Sequence, residues 1–187
     1  MKSINKVLLA LLVFSSLGIN ANAENLKGNK TNLHVSQYDD KSKKLVAVGN
    51  PAPNFSAIDS NGKKFNLADF KGKNSVLLVF YPGDSTPTCT KQLCAIRDDF
   101  KDLEKMGMKV FGVNPGESDS HNKFIKENKL QFPLLIDKDM RISRLYNSVG
   151  FLGFVNRTVV IVNKEGKISL FERGVPDLSP KKVAKLI

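Results

Sequence analysis

The chain has 187 residues, 41% of them hydrophobic, and a formal net charge of +11. This length is expected to form one domain with a sizeable hydrophobic core. The 29 lysines and arginines are scattered along the chain, and no basic stripe interleaved with aromatic residues occurs. The charge therefore predicts solvated lysines rather than a nucleic-acid partner.

The first 23 residues have the pattern of a cleavable signal peptide. Lys2 and Lys6 give a positive start, an apolar run covers residues 7–17, and a small-x-small triplet ends at Ala23. The apolar run is shorter than the roughly 20 residues of a membrane-spanning helix, although a retained membrane anchor is the alternative. We expect cleavage after Ala23 and a mature chain in a bacterial periplasm or outside the cell, without membrane contact.

The rest of the chain divides into a polar segment and a folded domain. Residues 24–44 show no period and are expected to be a flexible lead-in, so the domain would cover residues 45–187. Continuous or short apolar runs predict strands at 75–81, 109–113, 133–136 and 158–162. Helices are predicted between them, at 88–106, 118–129 and 139–147.

The end of the chain changes direction. A turn at 163–166 predicts that residues 167–171 form an antiparallel strand, and a last helix is expected after Ser179, with Pro180 at its first position. Strands that alternate with helices, followed by a hairpin, indicate an α/β domain with a central mixed sheet flanked by helices. This order is compatible with a thioredoxin-like fold.

Both cysteines of the chain lie in the predicted helix 88–106. Thr86 suits its N-cap and Pro87 its first helical position. One apolar stripe at helical spacing follows, formed by Cys89, Leu93, Ile96, Phe100 and Leu103. Cys94 is rotated by roughly 140° from Cys89 at 100° per residue, so the two thiols are expected on different sides of one helix.

The position of Cys89 favours a reactive thiolate, because the N–H groups and the dipole of a first helical turn stabilise negative charge. The Thr86 hydroxyl could accept a backbone N–H while it donates to sulfur or to a bound oxygen. Pro82 offers no N–H and could exclude water. A redox pair that meets after the helix opens is favoured, while inert core thiols and a structural disulfide stay open. Against the disulfide, helical Cα atoms at this spacing lie roughly 8–9 Å apart, beyond the limit of about 7 Å.

The segment "FYPGDSTPTCTKQLCAIRDDF" resembles the active site of the peroxiredoxins. The family signature Pro-x-x-x-Thr/Ser-x-x-Cys matches Pro82, Thr86 and Cys89, and the second cysteine five residues on is most similar to the bacterioferritin comigratory protein (PrxQ) group. The resemblance covers about residues 45–187. It includes "GNPAPNFSAIDSNGKKFNLADFKGK", "FPLLIDKD" and "NRTVVIVNKEGKI" in the same order along the chain.

This resemblance implies a thiol peroxidase on a thioredoxin-like fold, without cofactor or metal ion, that reduces hydrogen peroxide and small organic hydroperoxides. Cys89 would be the peroxidatic cysteine, which becomes a sulfenic acid, and Cys94 the resolving cysteine that condenses with it to an intramolecular disulfide. Arg157 would hold the thiolate and polarise the peroxide, with a surface salt bridge as its alternative.

Other features of this assignment are less specific. Arg97 and Arg144 are weaker candidates for the role of Arg157, and His121 is expected to be solvated. The implied partner is a thioredoxin-like protein or another thiol reductant, and the protein is expected to be a monomer, with a dimer as the alternative. Two rival functions remain, a periplasmic disulfide oxidoreductase and a non-catalytic binding module with inert thiols. The oxidoreductase is disfavoured because the chain lacks Cys-x-x-Cys.

Overall fold

The computed structural model describes residues 46–187, so the predicted signal peptide and the whole of the predicted lead-in, residues 24–44, fall outside the described residues. The strands are β1 (Ser56–Ile58), β2 (Lys64–Asn66), β3 (Ser75–Phe80), β4 (Met108–Asn114), β5 (Leu134–Ile136), β6 (Thr158–Val162) and β7 (Ile168–Arg173). The helices are α1 (Pro87–Asp98), α2 (Phe100–Lys105), α3 (Ser118–Asn128), α4 (Arg141–Leu145) and α5 (Pro180–Val183), and a 3₁₀ turn covers Leu67–Phe70.

Five of the strands form one mixed sheet in the order β5-β4-β3-β6-β7. β3 pairs in parallel with β4, and β4 with β5, whereas β6 is antiparallel to both β3 and β7. β3 lies at the centre, and all six of its residues are buried, as its continuous apolar run predicts. The α/β class, the central mixed sheet and the antiparallel last strand are confirmed.

Alternate residues of β3 face two separate cores. Leu77 and Val79 pack on one face of the sheet, together with Leu93 of α1 and Leu103 of α2. Val76, Leu78 and Phe80 pack on the other face, with aromatic side chains such as Phe55 and Tyr146. The sheet is therefore covered on both faces, and α1 lies on the first of them.

The structure departs from the predicted elements in three places. The helix predicted at 88–106 is interrupted at Asp99, whose φ of −91° and ψ of −1° separate α1 from α2. Asp99 is the second of two adjacent aspartates, and aspartate is a poor helix former. The helix predicted at 139–147 is shorter, because Met140 has a left-handed backbone with φ of 54°. The short hairpin β1–β2 was not predicted, since its strands have only three residues each.

The connection between α4 and β6 exposes three large apolar side chains, Phe151, Leu152 and Phe154. It is closed by a bridge between Val149 and Val155. Within residues 46–187, no helix has the length and apolar character needed to cross a bilayer.

Candidate active site

A short loop connects the central strand β3 to the helix that carries the first cysteine. β3 ends at Phe80, residues 81–86 form the loop, and α1 begins at Pro87. Proline at this position is favourable because its missing N–H has no partner in the first helical turn. Cys89 is consequently the third residue of α1, where the helix dipole favours an anion.

Cys89 is fully buried. Its neighbours in the core on this face of the sheet include Tyr81 and Leu93, both without exposed surface. The pKa of Tyr81 is raised well above its ordinary value, chiefly by burial and then by the charge of Asp84, with a smaller effect from Cys89. The Cys89 sulfur therefore lies near a neutral phenol, shielded from bulk water by the core.

Thr86 occupies the N-cap position, as predicted, with an extended backbone and a carbonyl that accepts the N–H of Thr90 at 2.9 Å. The side chain does not act as predicted, because its hydroxyl makes no capping hydrogen bond. Oγ1 is buried and has no partner among the described residues. The hydroxyl is thus available to a group that enters beside Cys89.

Arg157 lies immediately before β6, at the same edge of the sheet as the loop. The register pairs Thr158 with Phe80, and its continuation by one residue places Arg157 opposite Tyr81. The Arg157 Nε atom is buried without a hydrogen-bond partner in the described part of the chain. The predicted alternative, a surface salt bridge, is not formed by Arg157 within residues 46–187.

Gln92 connects α1 to the backbone that carries Arg157, and reasoning from sequence did not find this contact. Its Nε2 donates to the carbonyl of Gly174 at 3.3 Å, and the Gly174 N–H donates to the carbonyl of Arg157 at 2.8 Å. The Gln92 side chain is buried, and its Oε1 has no partner among the described residues. Gln92, Thr86 and Arg157 therefore each present an unpaired polar atom around the amino half of α1.

Cys94 has a different environment in the same helix. It is partly exposed, and its Sγ lies 3.7 Å from Oδ1 of Asn128, at the end of α3. Arg97 donates from Nη1 to the Asn128 carbonyl at 2.8 Å. The pKa of Arg97 is raised by its hydrogen bond to Asp98 and by the nearby Cys94.

Two predicted alternatives for the arginine role lie elsewhere. Arg97 is beside Cys94 rather than Cys89, because it projects from the second half of α1. Arg144 belongs to α4, and its Nη1 donates to the carbonyl of Asp139. Of the three arginines, Arg157 alone lies opposite the loop that precedes Cys89.

A buried polar cluster surrounds Asp84 in the loop. Its Oδ1 accepts from Tyr81 Oη and from Asn114 Nδ2, each at 2.9 Å. Its Oδ2 accepts from Ser120 Oγ and lies 2.9 Å from His121 Nδ1. Burial alone would raise the pKa of Asp84, but the hydrogen bonds from His121 and Ser120 and the charge of His121 outweigh it and lower the pKa to about 2.

The expectation that His121 is solvated was wrong. Its side chain has no exposed surface, because α3 turns this residue toward Asp84 rather than toward water. The ring fits closely, since a Cβ at Gly116 would come within 2.7 Å of His121 Cε1. Asp84 and His121 are 37 positions apart in sequence. The only signal of this pair in the sequence is the carboxylate of Asp84 in the loop before α1.

Residues 46–187 contain no group of three or more side chains suited to hold a metal ion. A cleft on another part of the surface is lined by Phe65, Phe111 and Phe132 among others. It includes none of the polar groups around Cys89. The unpaired polar atoms and the thiol make the amino end of α1 the chemically distinctive site.

Comparison with protein families and curated proteins gives consistent matches. The model of the AhpC/TSA family matches residues 48–171. A chloroplastic peroxiredoxin Q of Triticum aestivum is 38% identical over 125 residues, which are 66% of this chain and 57% of the relative. A putative peroxiredoxin bcp of Haemophilus influenzae is 35% identical over 130 residues, or 66% of this chain and 83% of the relative. The chain spans about half the length of most of the chloroplast relatives it matches.

Solved structures share the fold. A peroxiredoxin Q of Xanthomonas campestris superposes with a TM-score of 0.63 at 24% identity, over 70% of this chain and 87% of that one. The peroxidoxin BcpB of Mycobacterium tuberculosis gives a TM-score of 0.65 at 24% identity, over 73% and 92%. These likenesses confirm the predicted thioredoxin-like architecture.

Proposed function

Because this chain belongs to the AhpC/TSA family and to its peroxiredoxin Q group, we propose that it is a thiol-dependent peroxidase for hydrogen peroxide and small organic hydroperoxides. The observation that carries the proposal is a buried thiol in a first helical turn, accompanied by unpaired polar atoms of Thr86 and Arg157. Unpaired buried polar atoms cost free energy, and an inert apolar core would not need them. A peroxide beside Cys89 would give both atoms a partner.

In the first step, the Cys89 thiolate attacks one peroxide oxygen. An S–O bond forms while the O–O bond breaks, and the sulfur becomes a sulfenic acid. The departing oxygen takes up a proton and leaves as water or, from an organic hydroperoxide, as an alcohol. Arg157 Nε would donate to the peroxide oxygens as negative charge develops on them, and Thr86 Oγ1 would either donate or accept. Pro82, which lies in the loop and has no N–H, would not compete for these oxygens.

In the second step, Cys94 attacks the Cys89 sulfur. An S–S bond forms, the S–O bond breaks, and the hydroxide leaves as water after it takes up a proton. Both cysteines belong to α1, where Cα atoms at this spacing are roughly 8–9 Å apart, whereas a disulfide requires less than about 7 Å. The amino-terminal turns of α1 would therefore unwind before the bond can form.

A thiol reductant would close the cycle. A thioredoxin-like protein, or another thiol, supplies two electrons to the Cys89–Cys94 disulfide and restores the two thiols. Unwinding of α1 would bring Leu93 and Ile96 to the surface, and both are buried in the reduced form. This apolar surface would help the reductant to recognise the oxidised protein. We also propose that the protein acts as a monomer.

The test is peroxide consumption by the purified protein with dithiothreitol as reductant. A peroxidase consumes hydrogen peroxide in proportion to enzyme, and replacement of Cys89 stops it. A disulfide oxidoreductase would instead reduce protein disulfides, or oxidise protein thiols to disulfides, without consuming peroxide. Its accessible Cys-x-x-Cys pair differs from a fully buried Cys89 with Cys94 five positions on. A binding module with inert thiols would do neither.

We also propose that the protein is exported and cleaved after Ala23. The support is the sequence pattern alone: Lys2 and Lys6, the apolar run at residues 7–17, and the small residues before the cleavage point. The intact mass of protein recovered from its native cells should match a chain that begins at Glu24. Recovery of the chain with Met1 from the cytosol would contradict export.

A further inference from the structure

The polar cluster at Asp84 takes no part in the peroxide chemistry above, although it lies in the loop that delivers Cys89. The Asp84 carboxylate ties this loop to the end of β4 through Asn114 and to the first turns of α3 through Ser120 and His121. The Asp84 side chain is only 6% exposed and His121 is fully buried. Because hydrogen bonds to an ionised carboxylate are stronger than those between neutral groups, the cluster is a strong attachment of the loop.

The residue that follows the attachment has an unfavourable backbone. Ser85 has a φ of 58°, in the left-handed region that side chains other than glycine seldom adopt. Such a conformation persists only where its surroundings hold it. Asp84 precedes Ser85, and Thr86, the N-cap of α1, follows it. Release of Asp84 would let Ser85 relax and would move the amino end of α1, which carries Cys89.

One partner of Asp84 is also a neighbour of Cys89. Tyr81 donates to Asp84 and is packed in the same core as Cys89. Another partner, His121, is closely packed, because a Cβ at Gly116 would approach its Cε1 to 2.7 Å and its Nδ1 to 3.0 Å. The cluster therefore fixes both the loop and Tyr81.

We propose that Asp84 and His121 are positioning residues that hold the Cys89 loop closed and thereby oppose the opening of α1. The proposal rests on the proposed peroxidase function for its kinetic consequence, but the closure itself can be tested without peroxide. A firmer attachment keeps Cys89 beside Thr86 and Arg157 and favours peroxide attack. The same attachment slows the disulfide with Cys94, which requires the opened helix. Loss of the attachment should therefore change the two steps in opposite directions.

The main variant is Asp84→Asn, which keeps the size of the side chain and removes its charge. A second variant, Gly116→Ala, crowds two partners of Asp84, His121 and Asn114, and changes no charge. The matched control is Asp137→Asn, because Asp137 is also a buried carboxylate that accepts from the N–H groups of Ile142 and Ser143. It holds α4, on the other face of the sheet.

The first measurement uses fully reduced protein without peroxide. Hydrogen exchange followed by mass spectrometry should show about tenfold faster exchange across residues 82–92 in Asp84→Asn, in line with the loss of a charged hydrogen bond. Alkylation of Cys89 by iodoacetamide should rise similarly. Gly116→Ala should change both in the same direction, and Asp137→Asn should leave both within twofold of the wild type. Equal exchange in Asp84→Asn and Asp137→Asn would overturn the proposal.

The second measurement separates the two chemical steps by acid quench and mass spectrometry, since the chain contains no tryptophan to report them by fluorescence. In Asp84→Asn, sulfenic acid should form several-fold more slowly and the disulfide several-fold faster. With excess peroxide, less sulfinic acid should accumulate, because faster disulfide formation competes with further oxidation. A parallel fall of both rates would contradict positioning. If wild-type protein consumes no peroxide, the proposed function fails, and exchange and alkylation still decide whether Asp84 holds the loop.

Discussion

The two cysteines of α1 occupy contrasting environments only five positions apart. Cys89 is fully buried in the first turn of the helix, at the edge of the sheet where Thr86 and Arg157 have unpaired polar atoms. Cys94 is partly exposed, on another side of the helix, next to Asn128 and Arg97. One helix thus holds one sulfur in the buried core and leaves the other partly exposed to solvent. The sulfurs can then meet only if the helix opens.

The largest effect on activity is expected when the buried sulfur of Cys89 is removed. Cys89→Ser should abolish peroxide consumption, because serine has no thiolate and Cys94 lies on another side of the helix, beside Asn128. Peroxide loss is followed in the presence of dithiothreitol. Activity that survives in Cys89→Ser and disappears in Cys94→Ser would reverse the assignment.

Removal of the partly exposed sulfur of Cys94 should have an effect that depends on the reductant. Cys94→Ser should still form a sulfenic acid at Cys89, which dithiothreitol reduces, so consumption with this small thiol should stay within a few-fold of the wild type. With a thioredoxin-like protein as reductant, turnover should be lost, because no disulfide forms for it to reduce. Equal loss with both reductants would show that Cys94 also contributes to peroxide attack.

A smaller effect is expected when the polar surroundings of Cys89 are altered. Arg157→Lys keeps the positive charge but loses the planar guanidinium and its Nε–H, so peroxide attack should slow by about tenfold to a hundredfold. Rates of sulfenic acid formation give the measurement, with Arg144→Lys in α4 as the control. An unchanged rate in Arg157→Lys would remove this arginine from the site.

The need for opening can be tested on the disulfide form. Oxidised protein with a mapped Cys89–Cys94 bond should lose helix by far-UV circular dichroism and exchange amide hydrogens faster across about residues 84–98. The reduced protein and Cys94→Ser are the comparisons. Equally slow exchange in a protein whose disulfide is confirmed by mass spectrometry would show that the pair bonds without unwinding.

The smallest expected effect is on stability and concerns the loop before Cys89. The pKa of Asp84 is lowered from 3.8 to about 2 in the folded protein, so its stabilising effect is present above pH 4 and is lost as the pH falls toward 2. The shift corresponds to roughly 2 kcal/mol. Asp84→Asn should therefore lower the free energy of unfolding by about this amount at pH 7, and the difference should shrink near pH 2, as measured by urea denaturation. A difference that does not depend on pH would refute the charged attachment. His121 and Tyr81 are the other titratable groups in contact with Asp84.

Much of this arrangement follows from local sequence patterns, and the remainder from contacts across the fold. The buried strand β3, the start of α1 at Thr86 and Pro87, and the burial of Cys89 are local consequences of apolar periodicity and helix capping. Gln92 and Gly174 are 82 positions apart, and no local pattern relates them. The burial of His121 also escaped prediction, because a histidine among polar residues gives no sign of a buried carboxylate elsewhere.

The unused hydroxyl of Thr86 shows a similar limit. The residue type correctly predicts the N-cap position, since its backbone requirement is local. It does not predict whether the side chain caps the helix or faces a pocket, because packing around Cys89 decides this. The sequence thus predicted the cap position of Thr86 and missed its unpaired hydroxyl.

The most direct test of the account is to trap the first oxidised sulfur. Each single variant, Cys89→Ser and Cys94→Ser, is treated with one equivalent of hydrogen peroxide and with dimedone, which labels sulfenic acids, and the labelled residue is identified by mass spectrometry. We expect stoichiometric label on Cys89 in Cys94→Ser and none on Cys94 in Cys89→Ser. Label on Cys94, or its absence from Cys89, would contradict the claim that the buried sulfur at the amino end of α1 is the one that attacks peroxide.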